Sequence, residues 1–225
     1  MNDNITAHAS IEYDNKIKTT IPFYNIFHKT TIELIQNADI IVDKWLDTGC
    51  GTGNLIIEAS DVFTNTDFIL SDPSSEMIAL AKEKINIMNR KVTFLNSNSQ
   101  DLTYEDNSFD VITAIQSHHY LDKDTRMQAT KNCFRMLKPN GLFITFENIM
   151  PLSSKGVTIG LNRWKNYQIK NGKTIDEAKQ HIERFGKDYF PISIIEHIDL
   201  LKESGFNSIE ILWASYMQAG FYAIK

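Results

Sequence analysis

Hydrophobic residues along this chain form two kinds of pattern, short continuous runs and stripes at helical spacing. Short apolar runs are typical of buried strands, and here they predict strands at 44–47, 68–71, 92–95, 109–115 and 141–146. Apolar residues three and four positions apart are typical of helices with one buried face, and they predict helices at 54–62, 74–88 and 124–137. Strands that alternate with helices in this way predict an α/β fold with a parallel sheet.

The two ends of the chain add further elements. Residues 11–17 predict the start of a short helix, and Pro22 suits the first turn of a second helix that continues to about residue 37. Near the other end, a helix at 191–204 precedes two strands that we expect to pair as an antiparallel hairpin at the sheet edge. These last predicted strands are 209–213 and 220–224.

Residues 150–190 interrupt the alternation, and their pattern predicts two helices, at 157–169 and 174–185. The second opens with Thr174 and Glu177 in the spacing of a capping box. A length of 225 residues suits one domain, 1–225, that carries this insertion better than it suits two domains.

The composition narrows the classes of protein to consider. No apolar run approaches the ~20 residues of a membrane span, and the first residues lack the basic and apolar regions of a secretion signal. We therefore expect a cytoplasmic protein with no membrane segment. The net charge of −5 and the scattered basic residues argue mildly against direct nucleic-acid binding. The two cysteines, Cys50 and Cys133, show no metal-binding or disulfide pattern.

A glycine-rich segment directly after the first predicted strand is the main candidate for ligand binding. Gly49, Gly51 and Gly53 alternate with other residues and precede a helical pattern. Glycine permits positive φ and lets a ligand approach the backbone, and a helix that begins after such a turn presents free N–H groups. The alternative is a plain tight turn before a helix, because a glycine cluster alone is weak support for a binding site.

The second strand supplies the context for this turn. It ends in Asp72, about 20 residues after the glycines, where a carboxylate can accept hydrogen bonds from the hydroxyls of a ribose. An aspartate at the end of a strand can also serve only as a helix cap or a loop residue. Its position after a glycine turn favours the ribose interpretation.

Four segments of the chain resemble the motifs of class I S-adenosylmethionine-dependent methyltransferases: residues 46–53, 71–77, 107–112 and 137–142. The resemblance implies a doubly wound seven-stranded sheet in the order 3-2-1-4-5-7-6, with strand 7 antiparallel. It also implies S-adenosyl-L-methionine as cofactor and S-adenosyl-L-homocysteine as product. The cofactor contacts that it implies in these motifs and at the end of the fourth strand are Asp47, Gly49, Cys50, Gly51, Asp72, Pro73 and Gln116.

One departure from the family pattern concerns the adenine. In the family, an aspartate after the third strand often accepts a hydrogen bond from the adenine amino group. The matching residue here is Asn98, followed by Ser99. The Asn98 side-chain oxygen can still accept that bond, although it carries no charge. A loop without a ligand is the alternative for these two residues.

The resemblance also suggests roles for two segments outside the motifs. In related enzymes an N-terminal segment lies over the cofactor as a lid, which would place residues 1–40 and Tyr13 above the site. Residues 21–24 resemble a segment of bacterial carboxy-S-adenosylmethionine synthases in which a tyrosine contacts the amino-acid end of the cofactor, and the match points to Tyr24. The alternative is that both tyrosines only pack.

Insertions after the fifth strand usually cover the substrate in this family, so the helices within 150–190 are expected on the substrate side. The chain end near Tyr216 again resembles the synthase group and could reach the pocket. A solvated helix face is the commoner position for such side chains. The residues considered for substrate recognition are Tyr13, Arg163, Trp164, Tyr167, His181, Arg184 and Tyr216.

Adjacent histidines follow the fourth predicted strand, where open α/β sheets bind ligands. His118 or His119 could act as a general base near neutral pH, and Glu147 faces the same region from the end of the fifth strand. The alternative is that the histidines only hydrogen-bond the backbone or shape the pocket. No third ligand at convincing spacing accompanies them, so we expect no metal site.

These observations predict methyl transfer from S-adenosylmethionine to a small-molecule acceptor by in-line attack. The two terminal resemblances leave open an enzyme of tRNA modification or a modified-cofactor synthase. The synthase requires an arginine that binds a carboxylate, a role for which Arg163 and Arg184 are candidates. A protein that binds the cofactor without turnover is a third alternative, and a homodimer is an open oligomeric state.

Overall fold

A seven-stranded sheet is the centre of the computed structural model, which describes residues 4–86 and 92–225. The strands are β1 (Lys44–Thr48), β2 (Asp67–Asp72), β3 (Val92–Asn96), β4 (Phe109–Ile115), β5 (Leu137–Asn148), β6 (Ser208–Ser215) and β7 (Gln218–Ile224). Their order is β3-β2-β1-β4-β5-β7-β6. Strand β7 is antiparallel to β5 and β6, whereas the other pairs are parallel. The predicted fold, strand order and terminal hairpin are confirmed.

Helices cover the sheet and extend from it at the two predicted places. They are α1 (Tyr13–Thr20), α2 (Tyr24–Gln36), α3 (Asn54–Ser60), α4 (Ser75–Asn86), α5 (Lys123–Met136), α6 (Ser154–Lys170), α7 (Ile175–Glu183) and α8 (Ile194–Glu203). The predicted capping box of α7 is present, since Thr174 and Glu177 each hydrogen-bond the other's backbone. The continuation of α4 to Met88 and the segment 1–3 lie outside the described residues.

The observed start of two elements, α2 and β5, differs from the predicted start. Helix α2 begins at Tyr24 and not at Pro22, because Phe23 has φ 60° and therefore cannot continue a right-handed helix. Strand β5 begins at Leu137, which pairs with Phe109 of β4. The register of this pair of strands shifts between Phe109 and Val111. Residues 137–140, which precede the predicted strand 141–146, are therefore part of β5.

The sheet separates two hydrophobic cores. Trp45 of β1 is fully buried with residues of α2, α3 and α4, whereas the next residue, Leu46, packs with α5 and the segment around α8. Alternate side chains of a strand point to opposite faces, so a strand covered by helices on both faces is apolar at consecutive positions. The carboxyl ends of β1, β2 and β4 are consequently held at one edge by packing on both sides.

The insertion, residues 150–190, packs against the N-terminal segment, residues 4–40. Trp164 of α6 donates through Nε1 to the Thr20 carbonyl at 2.7 Å, and Tyr167 donates to the Lys18 carbonyl at 3.1 Å. Arg184, at the end of α7, donates to the Ile5 carbonyl at 2.8 Å. These bonds fix the N-terminal segment over the carboxyl edge of the sheet.

Within the described ranges, no helix combines the length and the apolar character that crossing a membrane requires.

Candidate functional site

A cavity of about 230 Å³ lies at the carboxyl edge of the sheet, under the N-terminal segment. The predicted residues that line it are Tyr13, Tyr24, Asp47, Gly49, Cys50, Gly51, Asp72, Pro73, Asn98, Ser99, Gln116 and His118. Every predicted cofactor contact is therefore at one cavity. The predicted residues that do not line it are His119, Glu147, Arg163, Trp164, Tyr167, His181, Arg184 and Tyr216.

The glycine turn forms the floor of this cavity. Gly49, Gly51 and Gly53 all have positive φ, at +66°, +53° and +77°. A Cβ on Gly53 would lie 3.2 Å from Leu70, so this glycine lets α3 approach β2. A Cβ on Gly49 would lie 2.3 Å from the Cβ of Ser117, in the loop after β4. The turn needs glycine both for its backbone conformation and for close packing.

The substitution Gly49→Ala is expected to destabilise the protein by about 2–3 kcal/mol and to weaken cofactor binding. The alanine would need positive φ and would collide with Ser117, and such overpacking costs roughly 1–3 kcal/mol by itself. Urea denaturation and calorimetric titration with S-adenosylhomocysteine measure the two effects. Gly51→Ala is the matched control for packing, since a Cβ there meets no atom within 4 Å. Equal destabilisation by both variants would contradict the role given to Ser117.

Asp72 is fixed by the turn that it faces. Its Oδ2 accepts from the Gly51 amide at 2.9 Å and its Oδ1 accepts from the Ser74 amide at 2.9 Å. The side chain is 8% exposed and lines the cavity. Two backbone amides thus orient the carboxylate, and carboxylate oxygens have the acceptor capacity that ribose hydroxyls require.

The substitution Asp72→Ala is expected to weaken binding of S-adenosylhomocysteine by about 1–3 kcal/mol, the scale of a lost hydrogen bond to a charged group. Calorimetric titration measures this change. Asp67→Ala, at the start of the same strand and away from the cavity, is the control. Unchanged affinity in Asp72→Ala would remove the ribose assignment.

Asp47 places a second carboxylate in the cavity. Its Oδ1 accepts from the Thr113 hydroxyl of β4 at 2.7 Å, and the residue is 2% exposed. Burial raises the pKa of Asp47 to about 7, and the negative charge of Asp72 adds to this, against the hydrogen bond from Thr113. A cation that enters the cavity would favour the ionised form of this side chain.

The loop after β3 is held by its own side chains. The Asn98 side chain donates to Asp101 at 2.8 Å, which orients the amide and directs its oxygen away from that bond. The Ser99 hydroxyl lies 2.6 Å from Thr48 Oγ1 and 3.1 Å from His118 Nε2. The Ser99 side chain is therefore occupied within the protein, and a contact from this residue to a ligand would come from its backbone.

Two tyrosines of the N-terminal segment close the cavity from above. The side chains of Tyr13 and Tyr24 are close enough for each to affect the pKa of the other, and burial raises both pKa values. Asp14, next to Tyr13, accepts from Thr52 at 2.6 Å, from Asn54 at 2.7 Å and from Lys84 at 2.7 Å. The N-terminal segment is thereby bound directly to the glycine turn and to α4.

Gln116 has an unusual backbone conformation at the end of β4. Its φ is +55°, and its amide donates to the Phe146 carbonyl at 2.6 Å. A non-glycine residue in the left-handed region carries strain that often marks functional sites. This conformation turns the chain away from the sheet and brings residues 116–118 to the cavity.

The two histidines after β4 face a buried carboxylate. His119 Nδ1 lies 2.5 Å from Glu147 Oε2, and its Nε2 lies 3.1 Å from the Asn148 side chain. The backbone amides of His118 and His119 also donate to Glu147, at 3.1 and 3.0 Å. His119 and Glu147 are thus inside the protein, outside the cavity. His118 reaches the cavity, but its Nε2 contacts Ser99.

The insertion residues considered for substrate binding have other positions. Trp164 is fully buried against the N-terminal segment, and His181 packs on its ring. The Arg163 guanidinium lies over the Tyr216 ring at 4.4 Å, on the surface. Arg184 binds Asp188 at 2.7 Å. None of these side chains lines the cavity as the structure describes it.

Sequence reasoning missed two titratable residues among those described at the cavity, Tyr120 and His28. The more informative of the two is His28. It follows Tyr24 by four positions on α2 and its Nδ1 lies 2.9 Å from Glu58 Oε1 of α3. Residues four apart share a helix face, so the prediction for Tyr24 contained the signal for His28. No comparable spacing in the sequence pointed to its partner Glu58, because the pairing depends on how α2 and α3 pack.

Comparisons with known proteins agree with this geometry. Residues 46–141 match the family described as a methyltransferase domain. A carboxy-S-adenosyl-L-methionine synthase of Nautilia profundicola is 28% identical over 95% of this chain and 90% of that protein. The corresponding synthase of Campylobacter lari is 24% identical over 97% of this chain and 93% of that protein.

The fold has a solved counterpart of the same extent. The structure of a SAM-dependent methyltransferase from Thermotoga maritima, described as a possible histamine N-methyltransferase, superposes with a TM-score of 0.64 at 16% identity and covers 98% of both chains. Strand order, matched domain and relatives together show a methyltransferase domain over residues 46–141 in a chain that resembles the class I S-adenosylmethionine-dependent methyltransferases and, among them, the carboxy-S-adenosyl-L-methionine synthases.

Proposed function

We propose that this enzyme transfers the methyl group of S-adenosylmethionine to a small-molecule acceptor. The observation that carries the proposal is the charge of the cavity. Asp47 and Asp72 line it, while no lysine or arginine among the described residues does. The cofactor brings a sulfonium and an ammonium group, which suit such a site. The sulfonium methyl is already electrophilic, so the protein mainly needs to hold donor and acceptor in line, which can contribute several kcal/mol.

The enclosure of the cavity supports a small acceptor. Residues 4–6 and Tyr13 cover it, and bonds from Asp14 and Arg184 hold that cover in place. A nucleic acid would have to displace these contacts, and the net charge of −5 gives no general attraction to phosphates.

A second candidate function is synthesis of a carboxylated cofactor, because the two relatives described above carry that name. Such a cofactor has one carboxylate more than S-adenosylmethionine. It would need a further cationic side chain, and the two candidates, Arg163 and Arg184, are bound to Tyr216 and Asp188 outside the cavity. This distribution of charge favours methyl transfer.

Two measurements test the proposal. The first identifies by mass spectrometry any nucleoside that co-purifies with the protein and titrates the protein with S-adenosylmethionine and S-adenosylhomocysteine. The second follows S-adenosylhomocysteine release and methylated products over a panel of small carboxylates, amines and phenols. Accumulation of a carboxylated cofactor would replace methyl transfer by the second candidate. A protein that binds neither compound would contradict both.

A further inference from the structure

A buried histidine–glutamate pair lines the cavity beside the glycine turn. His28 is 2% exposed, and its Nδ1 lies 2.9 Å from Oε1 of Glu58, which is half exposed. A carboxylate is only an acceptor, so Nδ1 must carry the hydrogen of this bond. The Tyr24 ring packs on the imidazole with centroids 5.1 Å apart. The ring of His28 is therefore held in one orientation from two sides.

The second nitrogen of His28 is the one available to a ligand. Across residues 4–86 and 92–225, no protein atom hydrogen-bonds its Nε2. This nitrogen is also not completely enclosed by protein atoms, and the residue lines the cavity. When both ring nitrogens carry hydrogen, Nε2–H is a charged donor on a residue that lines the cavity, and Glu58 places an opposite charge beside the ring. This arrangement suits an anionic group.

The position of His28 selects one part of the cofactor. Along the sheet edge, Asn98 follows β3, Asp72 ends β2, Asp47 lies in β1 and Gln116 follows β4. A nucleoside with its ribose on Asp72 and its adenine near Asn98 would occupy the β3–β2 half. The amino-acid end then falls in the half formed by β1 and β4.

His28 lies with the groups of that second half. It contacts Tyr24, and the charges of Asp47 and Glu58 both act on the Tyr24 hydroxyl. The amino-acid end carries an α-carboxylate that would enter next to Asp47. Two neighbouring carboxylates repel, so this group needs a cation at close range. Among the cavity residues that the structure describes there is no lysine or arginine, and His118 is turned to Ser99, so His28 is the side chain there that can supply the charge.

The charged and titratable groups that surround the ring, Glu58 included, come from four elements. Three of these groups are carboxylates and two are lysines. The groups are Tyr13 and Asp14 of α1, Lys18 of α1, Tyr24 and Lys29 of α2, Asp47 of β1 and Glu58 of α3.

We propose that the imidazolium of His28, held in place by Glu58, binds the α-carboxylate of the cofactor and so selects the complete amino-acid end over truncated nucleosides. The proposal rests on the cofactor site of the proposed function. His28 makes the contact with the ligand, and Glu58 is a positioning residue that fixes the tautomer and stabilises the charge, as carboxylates behind ligand-binding histidines do.

The test compares two ligands that share a nucleoside and a sulfur. S-adenosylhomocysteine has the amino-acid end, and 5′-methylthioadenosine lacks it. In calorimetric titrations, His28→Gln is expected to weaken S-adenosylhomocysteine roughly 10- to 100-fold, the range of one charge-assisted hydrogen bond, and to leave 5′-methylthioadenosine unchanged. Glu58→Gln is expected to weaken S-adenosylhomocysteine less and also to spare the truncated ligand. Lys29→Gln, which removes a charge from the exposed face of α2, is the matched control.

Nuclear magnetic resonance measures the chemical shifts of the histidine side chains. These shifts would not respond to the amino-acid end of the ligand if His28 had only a structural role. The signals of His28, assigned by their loss in His28→Gln, are expected to shift to the imidazolium position with S-adenosylhomocysteine and not with 5′-methylthioadenosine. Equal weakening of both ligands, or unchanged affinity for both, would overturn the proposal while the cofactor site stands. If the unaltered protein binds neither ligand, the proposed function itself fails.

Discussion

Replacing Glu147 by alanine is expected to lower the free energy of unfolding by about 3–5 kcal/mol, because several buried donors would lose their acceptor at once. The carboxylate is fully buried and accepts four hydrogen bonds. Two reach Oε1, from Thr145 at 2.8 Å and the His118 amide at 3.1 Å. Two reach Oε2, from the His119 amide at 3.0 Å and from His119 Nδ1 at 2.5 Å. Alanine would leave all four donors without that acceptor.

The pKa of Glu147 agrees with this role. Burial opposes its ionisation, but the hydrogen bond and charge of His119, with the charges of His118 and His197, outweigh burial and lower the pKa to about 2. Because the folded pKa lies below the ordinary value of 4.5, this stabilisation is present above pH 4.5 and is lost as the pH falls through about 2.

Chemical denaturation at pH 7 measures the effect of Glu147→Ala. Glu147→Gln, which keeps the volume, is expected to cost less, because its amide oxygen still accepts two of the four bonds. Glu105→Ala, at an exposed position, is the control and should stay within about 0.5 kcal/mol. If Glu147→Ala keeps its stability and loses only turnover, the structural role is wrong and the catalytic role predicted from the sequence is supported.

The fold and the cofactor side of the site could be predicted because they depend on local rules. Gly49 and Gly51 need positive φ whatever surrounds them, and an acid at the end of β2 lies at the carboxyl edge by topology alone. A resemblance to known motifs then supplied the strand order. These features follow from how far apart residues lie in the sequence and from the two-residue repeat of a strand, both of which can be read from one sequence.

The catalytic and substrate residues depended on side-chain direction, which sequence does not display. His118 and His119 are adjacent, yet the short helical turn at His118–Tyr120 sends one to the cavity and the other to Glu147. Trp164 is buried because the insertion packs on α1 and not over the cavity. His28 required knowledge that α2 lies beside α3. In each case tertiary packing decided the position.

Lowering the pH from 6.5 to 4 is expected to remove a few kcal/mol of stability through buried histidines. Asp47 makes a smaller contribution of opposite sign, because its raised pKa lets the folded protein bind a proton in the same range. His118 and His197 are buried, and burial lowers the pKa of each to about 4, with Arg126 contributing and Glu147 acting against the shift. Between pH 6.5 and 4 the unfolded chain therefore binds protons that the folded protein does not, so unfolding becomes more favourable as the pH falls. A shift of this size corresponds to roughly 3 kcal/mol for each histidine.

His197 is the residue through which this prediction can be tested. It is 3% exposed, its Nε2 is an enclosed polar atom with no hydrogen-bond partner in the described parts of the chain, and its ring stacks on Phe221 at 4.9 Å. His197→Phe keeps the stacking and removes the titrating group. We expect urea denaturation at pH 7 to show little change or a gain in stability for this variant. At pH 5 the variant should exceed the unaltered protein, because only the latter still loses stability through His197. Stability curves that run parallel from pH 7 to pH 4 would show that His197 binds its proton over the same pH range in the folded and the unfolded protein. The acid sensitivity would then have to arise from other buried histidines, such as His118 and His181.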